Sequence, residues 1–224
     1  MRSLNEMLLA SAWARELSAE QFQQINEGIV VRTIPTGGFV CMKGEPVEYW
    51  MGVVDGLVKM ASIWSTGKIT SFTGLSAGGW FGEGSLLKNE ARKYDVVALR
   101  ESRVAYMNRS TFQWLCDNSI HFNRFLIVQL NERLGQFIAM MEHERLLDPD
   151  ARLARCLASL FNPVLYPESN LELKISQEEI GLLAGISRQR VNQALRKLEE
   201  AGLLHIDYGS ITILDLAGLR CFGE

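Results

Sequence analysis

The apolar positions change period along the chain. Leu4, Met7, Leu8, Trp13, Leu17, Phe22 and Ile25 recur at roughly helical spacing, so residues 1–25 read as helix. Ser18 is placed to cap a second short helix over 19–26. From 28 to 107 the pattern becomes short runs of Val, Ile, Thr and aromatic residues. Gly37-Gly38, Gly44, Asp55-Gly56, Gly67, Gly78-Gly79, Gly82 and Gly84 punctuate them. Turn signals about every ten residues, with strand-forming runs between, indicate an antiparallel sandwich or barrel. Runs over 49–54 and 57–64 flank Asp55-Gly56, which reads as a hairpin because such a turn needs positive φ.

Residues 110–146 return to helical spacing. Ile127, Leu130, Leu134, Phe137 and Met141 fall 3-4-3-4 apart, the a/d seam of a coiled coil. The repeat lasts only about two heptads, so a seam between two copies and a helix packed on its own domain both remain open. Asp148-Pro149-Asp150 then stops the helix, since Pro disfavours helix at the residue before it and fits a first turn. This is the domain boundary. A new helix follows over 151–161, then an exposed loop over 162–170 containing two prolines.

Residues 175–195 carry the chemistry. Ser176 and Glu179 have capping-box spacing, and Ile180, Leu183 and Ala184 form one apolar face. Gly185 sits where a tight turn tolerates no Cβ, and Ser187 caps the next helix. Val191, Leu195 and Leu198 are the buried stripe of that helix. Two short helices joined through a Gly turn make a helix-turn-helix, whose second helix enters the major groove of double-stranded DNA. Its polar face carries Arg188, Gln189, Asn192 and Gln193. Arg suits guanine O6 and N7, while Asn and Gln suit adenine N6 and N7. Ser187 and Arg190 are better placed for phosphate. Runs over 203–206 and 210–214 then flank Asp207-Tyr208-Gly209 as the hairpin of a wing. Ser176 and Ser210 complete the DNA-contact set.

Net charge is −3, which alone argues weakly against nucleic acid; what matters is whether cations gather on one face. Composition is that of a soluble globular protein, 47% apolar and 22% charged. No apolar run approaches a membrane span, and residues 7–14 are followed too soon by Arg15 and Glu16 for a secretory signal, so a cytoplasmic location is expected. Cys41, Cys116, Cys156 and Cys221 have no metal-ligand spacing and read as reduced thiols. His121, His143 and His205 all lie outside 28–107, which leaves a catalytic or metal-binding barrel without its groups.

At this point the chain resembles the family of the cyclic-AMP receptor protein and the fumarate–nitrate reduction regulator, over nearly its whole length. The stretch from Ile175 to Leu195 matches the family's recognition motif, Phe81-Gly82-Glu83 followed by Arg92 resembles its phosphate-binding cassette, and Leu147-Asp148 matches its hinge. The resemblance implies an α+β fold: an N-terminal antiparallel β-roll over 1–110, a dimerisation helix over 111–147, and a winged helix-turn-helix over 148–224. It also implies a homodimer through Ile127, Leu130, Leu134, Phe137 and Met141, a pseudo-palindromic operator, and RNA polymerase as partner. The effector site it implies is Gly82, Glu83, Gly84, Arg92, Lys93 and Phe137. In cyclic-AMP-binding members, Ser or Thr follows the Arg, and Thr-Ser reads adenine from the helix. Here Lys93 follows Arg92, Phe137 and Ile138 hold the helix positions, and the segment before Arg92 is one residue shorter. These departures point to a different anionic effector, such as another cyclic nucleotide. The family's N-terminal cysteine cluster is absent, so no metal, haem or iron–sulfur cluster is expected. The expected function is a DNA-binding regulator, not an enzyme, controlled by a small anion. The alternative is a regulator with a vestigial pocket, ligand-independent or switched by oxidation of Cys41 or Cys116.

Overall fold

The computed structural model of the chain describes residues 2–167 and 170–223. It opens with α1 (Leu4–Ala10) and α2 (Ala19–Glu27). Ser3 and Ser18 cap them, and Glu6 and Gln21 close both capping boxes. The apolar spacing over 1–25 therefore belongs to two helices, the second capped by Ser18 as expected. The turn between them drops Trp13 among Trp50, Trp80 and Phe122, with ring centroids 5.7, 5.6 and 5.4 Å away.

Eight strands build the roll: β1 (Ile29–Ile34), β2 (Phe39–Cys41), β3 (Tyr49–Asp55), β4 (Leu57–Ile63), β5 (Ile69–Ser76), β6 (Trp80–Phe81), β7 (Asp95–Ala98) and β8 (Ser102–Asn108). A short helix, α3 (Glu83–Lys88), follows β6. The strands form two antiparallel sheets, ordered β1-β8-β3-β6 and β2-β7-β4-β5. Met51, Val53, Val58, Met60, Leu75, Phe81, Val96 and Val104 meet between them.

Asp55-Gly56 does not close the expected hairpin. β3 pairs with β6 and β8, whereas β4 pairs with β5 and β7. Gly56, at φ +114°, is a corner where the chain passes from one sheet to the other. The dipeptide announces positive φ but not which strand will be the partner. The hairpin lies one strand later, where Gly67 turns β4 into β5.

Two helices leave the roll, α4 (Arg109–Asn118) and α5 (Ile120–Leu146), separated by the capping Ser119. α5 buries Phe122, Leu126, Gln129 and Arg133. Asp148 then caps α6 (Pro149–Ser159), accepting from the Asp150 N–H at 2.7 Å. The remaining elements are β9 (Glu172–Leu173), α7 (Gln177–Ala184), α8 (Arg188–Glu200), β10 (Leu204–Asp207), β11 (Ser210–Ile213) and α9 (Leu216–Cys221). Leu153, Leu157, Ile180, Val191, Leu195, Leu198, Leu204 and Ile211 form their core. The segment after α6 is not wholly the exposed loop expected. Leu165 and Tyr166 are buried within the core of the roll, while Glu168 and Ser169 lie outside the described residues.

The corner at Gly56 gives a test. A Cβ there would lie 2.2 Å from Ser102 Oγ, whereas a Cβ at Gly67, also at positive φ, would meet open space. Gly67→Ala should cost about 1 kcal/mol from backbone strain alone. Gly56→Ala should cost roughly 2–4 kcal/mol, because overpacking adds to the strain. Urea unfolding of both variants measures the difference, and equal costs would refute the steric account.

Candidate functional site

The reading head is built by three local devices. Ser176 caps α7 by accepting from the Glu179 N–H at 3.2 Å. Gly185, at φ +65°, reverses the chain, and Ser187 caps α8 by accepting from the Arg190 N–H at 3.3 Å. Val191, Ala194, Leu195 and Leu198 bury one side of α8. The other side leaves Arg188, Gln189 and Gln193 exposed together at the start of the helix. Asn192 is half-buried and donates to Gln177 Oε1 at 3.4 Å. Arg190 is drawn sideways, 3.2 Å from Asp150 and 3.2 Å from Gln193 Oε1. At the wing, Tyr208 is fully exposed between β10 and β11, and Ser210 is half-buried. The Ser176–Glu179 capping box forms only by half: the Glu179 carboxylate pairs with Lys59 of β4 instead of the cap backbone.

The second constellation lies inside the roll, where β6 runs into α3. Gly82 adopts φ +91°, and a Cβ there would fall 2.3 Å from Arg92 Nη1. Arg92 is buried and donates to the carbonyls of Gly82, at 3.2 Å, and Tyr49. Glu83 is 3% exposed, with Arg133 Nε of α5 at 3.9 Å. Glu83 Oε2, Gln129 Nε2, and Arg133 Nε and Nη1 are buried without a hydrogen-bond partner among the described residues. Tyr94 stands close by; burial, then the Glu83 charge, raise its pKa well above the usual phenol value.

The structure thus brings Gly82, Glu83, Gly84 and Arg92 together but separates Lys93. That ammonium faces solvent and pairs with Glu90 at 3.1 Å. Phe137 is half-buried on α5. Gln129 and Arg133 were missed from the sequence, because a polar residue on a helix reads as solvated face. Their only signal is position, one turn apart on the face that carries Phe122 and Leu126.

On the opposite side of α5, Ile127, Leu134 and Met141 are 59%, 58% and 55% exposed. Leu130 joins them, as does Ile138, which lies outside the heptad reading; Val128 is also exposed but about 100° further round the helix. The seam residues other than half-buried Phe137 therefore do not pack on their own domain.

Residues 31–119 match the cyclic nucleotide-binding domain, and residues 151–222 match the Crp-like helix-turn-helix domain. The chain is 26% identical over 174 residues to the cAMP-activated global transcriptional regulator CRP of Haemophilus influenzae, covering 76% of this chain and 77% of that protein. The chain belongs to the CRP/FNR family of transcription regulators. Another CRP/FNR relative, the cAMP-activated global transcriptional regulator Vfr of Pseudomonas aeruginosa, is 30% identical over 139 residues, 59% of this chain and 64% of that one. FixK2 of Bradyrhizobium japonicum shares the fold, with a TM-score of 0.72 at 18% identity over 86% of this chain and 96% of that one. Regulators of the CRP/FNR family bind DNA through the helix-turn-helix, which here is α7 and α8.

Arg188 is exposed and projects from the first turn of α8. Arg188→Ala should weaken operator binding by ~1–3 kcal/mol and relax preference at a single guanine. Binding to a library of single-base operator variants reads both effects. A uniform loss across all variants would make Arg188 a phosphate contact.

Proposed function

We propose that this CRP/FNR regulator is a cytoplasmic homodimer whose roll takes a small anionic effector, and which works with RNA polymerase at a pseudo-palindromic operator. The observation that carries the reading is the double character of α5. One face buries Gln129 and Arg133 with polar atoms that lack hydrogen-bond partners among the described residues, and the other presents a bare apolar stripe. Buried polar groups without partners are what a polar ligand satisfies, and a large exposed apolar stripe marks an interface. The proposed division is 1–110 for the sensor, 111–147 for the dimer helix and 148–224 for DNA.

The residues clustered around Glu83 and Arg92 fit a phosphorylated, hydroxyl-bearing ligand, the chemistry of a cyclic nucleotide. Glu83 accepts from hydroxyls, and Arg92 and Arg133 offer N–H donors to phosphate oxygens. Gly82 and Gly84 let the backbone approach closely. Phe137 supplies a stacking surface from α5, and Lys93 supplies long-range attraction rather than contact. The activity we propose is regulatory rather than catalytic, as in the relatives named above. Thiol switching is the weaker reading. Burial pushes the thiols of Cys41 and Cys116 up to about 11, so neither is a thiolate at neutral pH.

The dimer is tested by Leu134→Glu, which sets two like charges against each other across a twofold axis. Sedimentation should show a monomer, and operator affinity should fall about a hundredfold or more. A dimer that survives the substitution would place the interface elsewhere. The pocket is tested by thermal shift with cyclic AMP, cyclic GMP and cyclic di-GMP. A binder present at about 100 times its Kd should stabilise the protein by ~2.7 kcal/mol, and Glu83→Ala should abolish that shift. No shift with any of the three would leave the vestigial-pocket alternative standing.

A further inference from the structure

The winged helix is fastened to the roll around the β4–β5 pair. Lys59 of β4 and Gly74 of β5 are cross-strand partners, and both are used. The Tyr166 hydroxyl donates to Gly74 O at 2.8 Å, and its ring packs on Gly79. The Leu160 side chain occupies the space above Gly74, and Ser76 Oγ donates to Leu160 O at 3.2 Å. Lys59, 3% exposed, pairs with Glu179 in the first turn of α7. At α1 and α2 the residue equivalent to Glu179 turns back to close its own capping box. Glu179 gives up that bond for the roll. A buried ammonium without a partner is strongly disfavoured, so Lys59 penalises any arrangement that carries Glu179 away.

While the winged helix is held this way, Arg188, Gln189 and Gln193 stay exposed. Docking therefore orients the reading head without covering it. We propose that Lys59 and Tyr166 are positioning residues for operator recognition. Through Glu179 and Gly74 they fix the orientation of each winged helix, and that orientation sets the half-site spacing the regulator accepts. The inference rests on the twofold dimer proposed above. A dimer with loosely tethered heads tolerates several spacings, but it must lose orientational freedom when it binds. A dimer with held heads favours one spacing and binds it more tightly.

The test uses the full-length protein and an operator obtained by in vitro selection from random duplex DNA. Each base pair inserted at its centre moves one half-site by ~3.4 Å and turns it by about 34°. The native protein should strongly prefer the selected spacing over insertions of one and two base pairs. Lys59→Met should reduce that preference on the order of tenfold, with weaker binding at the selected spacing. Its affinity for a duplex carrying a single half-site should not change. Lys59→Arg should restore the preference, and Tyr166→Phe, which keeps the ring but loses the hydroxyl that bonds Gly74 and meets Arg133, should reduce it by less. If Lys59→Met does not fold, Glu179→Gln removes the same ion pair from the more exposed side and should show the same loss. Unchanged spacing preference in a folded dimer overturns the proposal, as does tighter operator binding after the pair is removed. An equal loss on the single half-site would make Lys59 merely structural and overturns it too. Sedimentation separates the two readings: a native monomer defeats the dimer itself, whereas a dimer indifferent to these substitutions defeats only the positioning role.

Discussion

The guanidinium of Arg133 is where three parts of the molecule meet. It sits on α5 and donates to Trp80 O of β6 at 2.7 Å. The Glu83 carboxylate is 3.9 Å away, and Tyr166 comes to it from the winged-helix side. Burial works against its charge; Tyr166, Glu83 and Tyr94 outweigh that and hold it more firmly cationic than usual. An unpaired charge at this depth would cost several kcal/mol, so its neighbours cannot rearrange independently. The long helix, the Glu83 segment and the loop after α6 are thereby tied to one group.

This constraint explains why α5 has such divided chemistry. Its 27 residues span about 40 Å, enough to run from the roll to the hinge at Asp148. Phe122 and Leu126 anchor it on the aromatic cluster around Trp50, after which Gln129 and Arg133 continue the inward face with polar groups. An all-apolar inward face would pack more simply but leave nothing to engage Glu83. The outward stripe is left bare, so one helix carries both the buried polar groups beside Glu83 and an exposed apolar face.

The parts legible in the sequence are those specified by neighbours in the chain. Ser176, Gly185 and Ser187 mark the ends of α7 and α8, and the spacing of Val191, Leu195 and Leu198 fixes which face of α8 is buried. Each of these signals acts within a few residues, and the structure has all of them. The failures share the opposite origin. Asp55-Gly56 encodes a bend, but the pairing of β3 with β8 is decided by chain some fifty residues away. Pro163 and Pro167 mark an irregular segment and say nothing of Leu165 and Tyr166 between them, which find their core in another domain. Lys93 shares Arg92's charge but not its direction: Arg92 turns inward to two carbonyls, and Lys93 turns outward to Glu90. Glu179 was read as a cap because local chemistry allows it, and lost that role to a lysine 120 positions earlier.

The electrostatics of the reading head fit a regulator of net charge −3. Asp150, itself buried, pairs with both Arg190 and Lys197, so part of the positive charge of α8 is neutralised before DNA arrives. Nonspecific affinity grows with the number of phosphates a protein neutralises, while discrimination between sequences comes from hydrogen bonds to base edges. Arg190 and Lys197 are already paired with Asp150, whereas Arg188, Gln189 and Gln193 remain exposed. The acidic balance of the chain, which taken alone argues against nucleic acid, is thus compatible with a DNA-binding head, because the polar side chains at the start of α8 stay exposed while part of its positive charge is already paired.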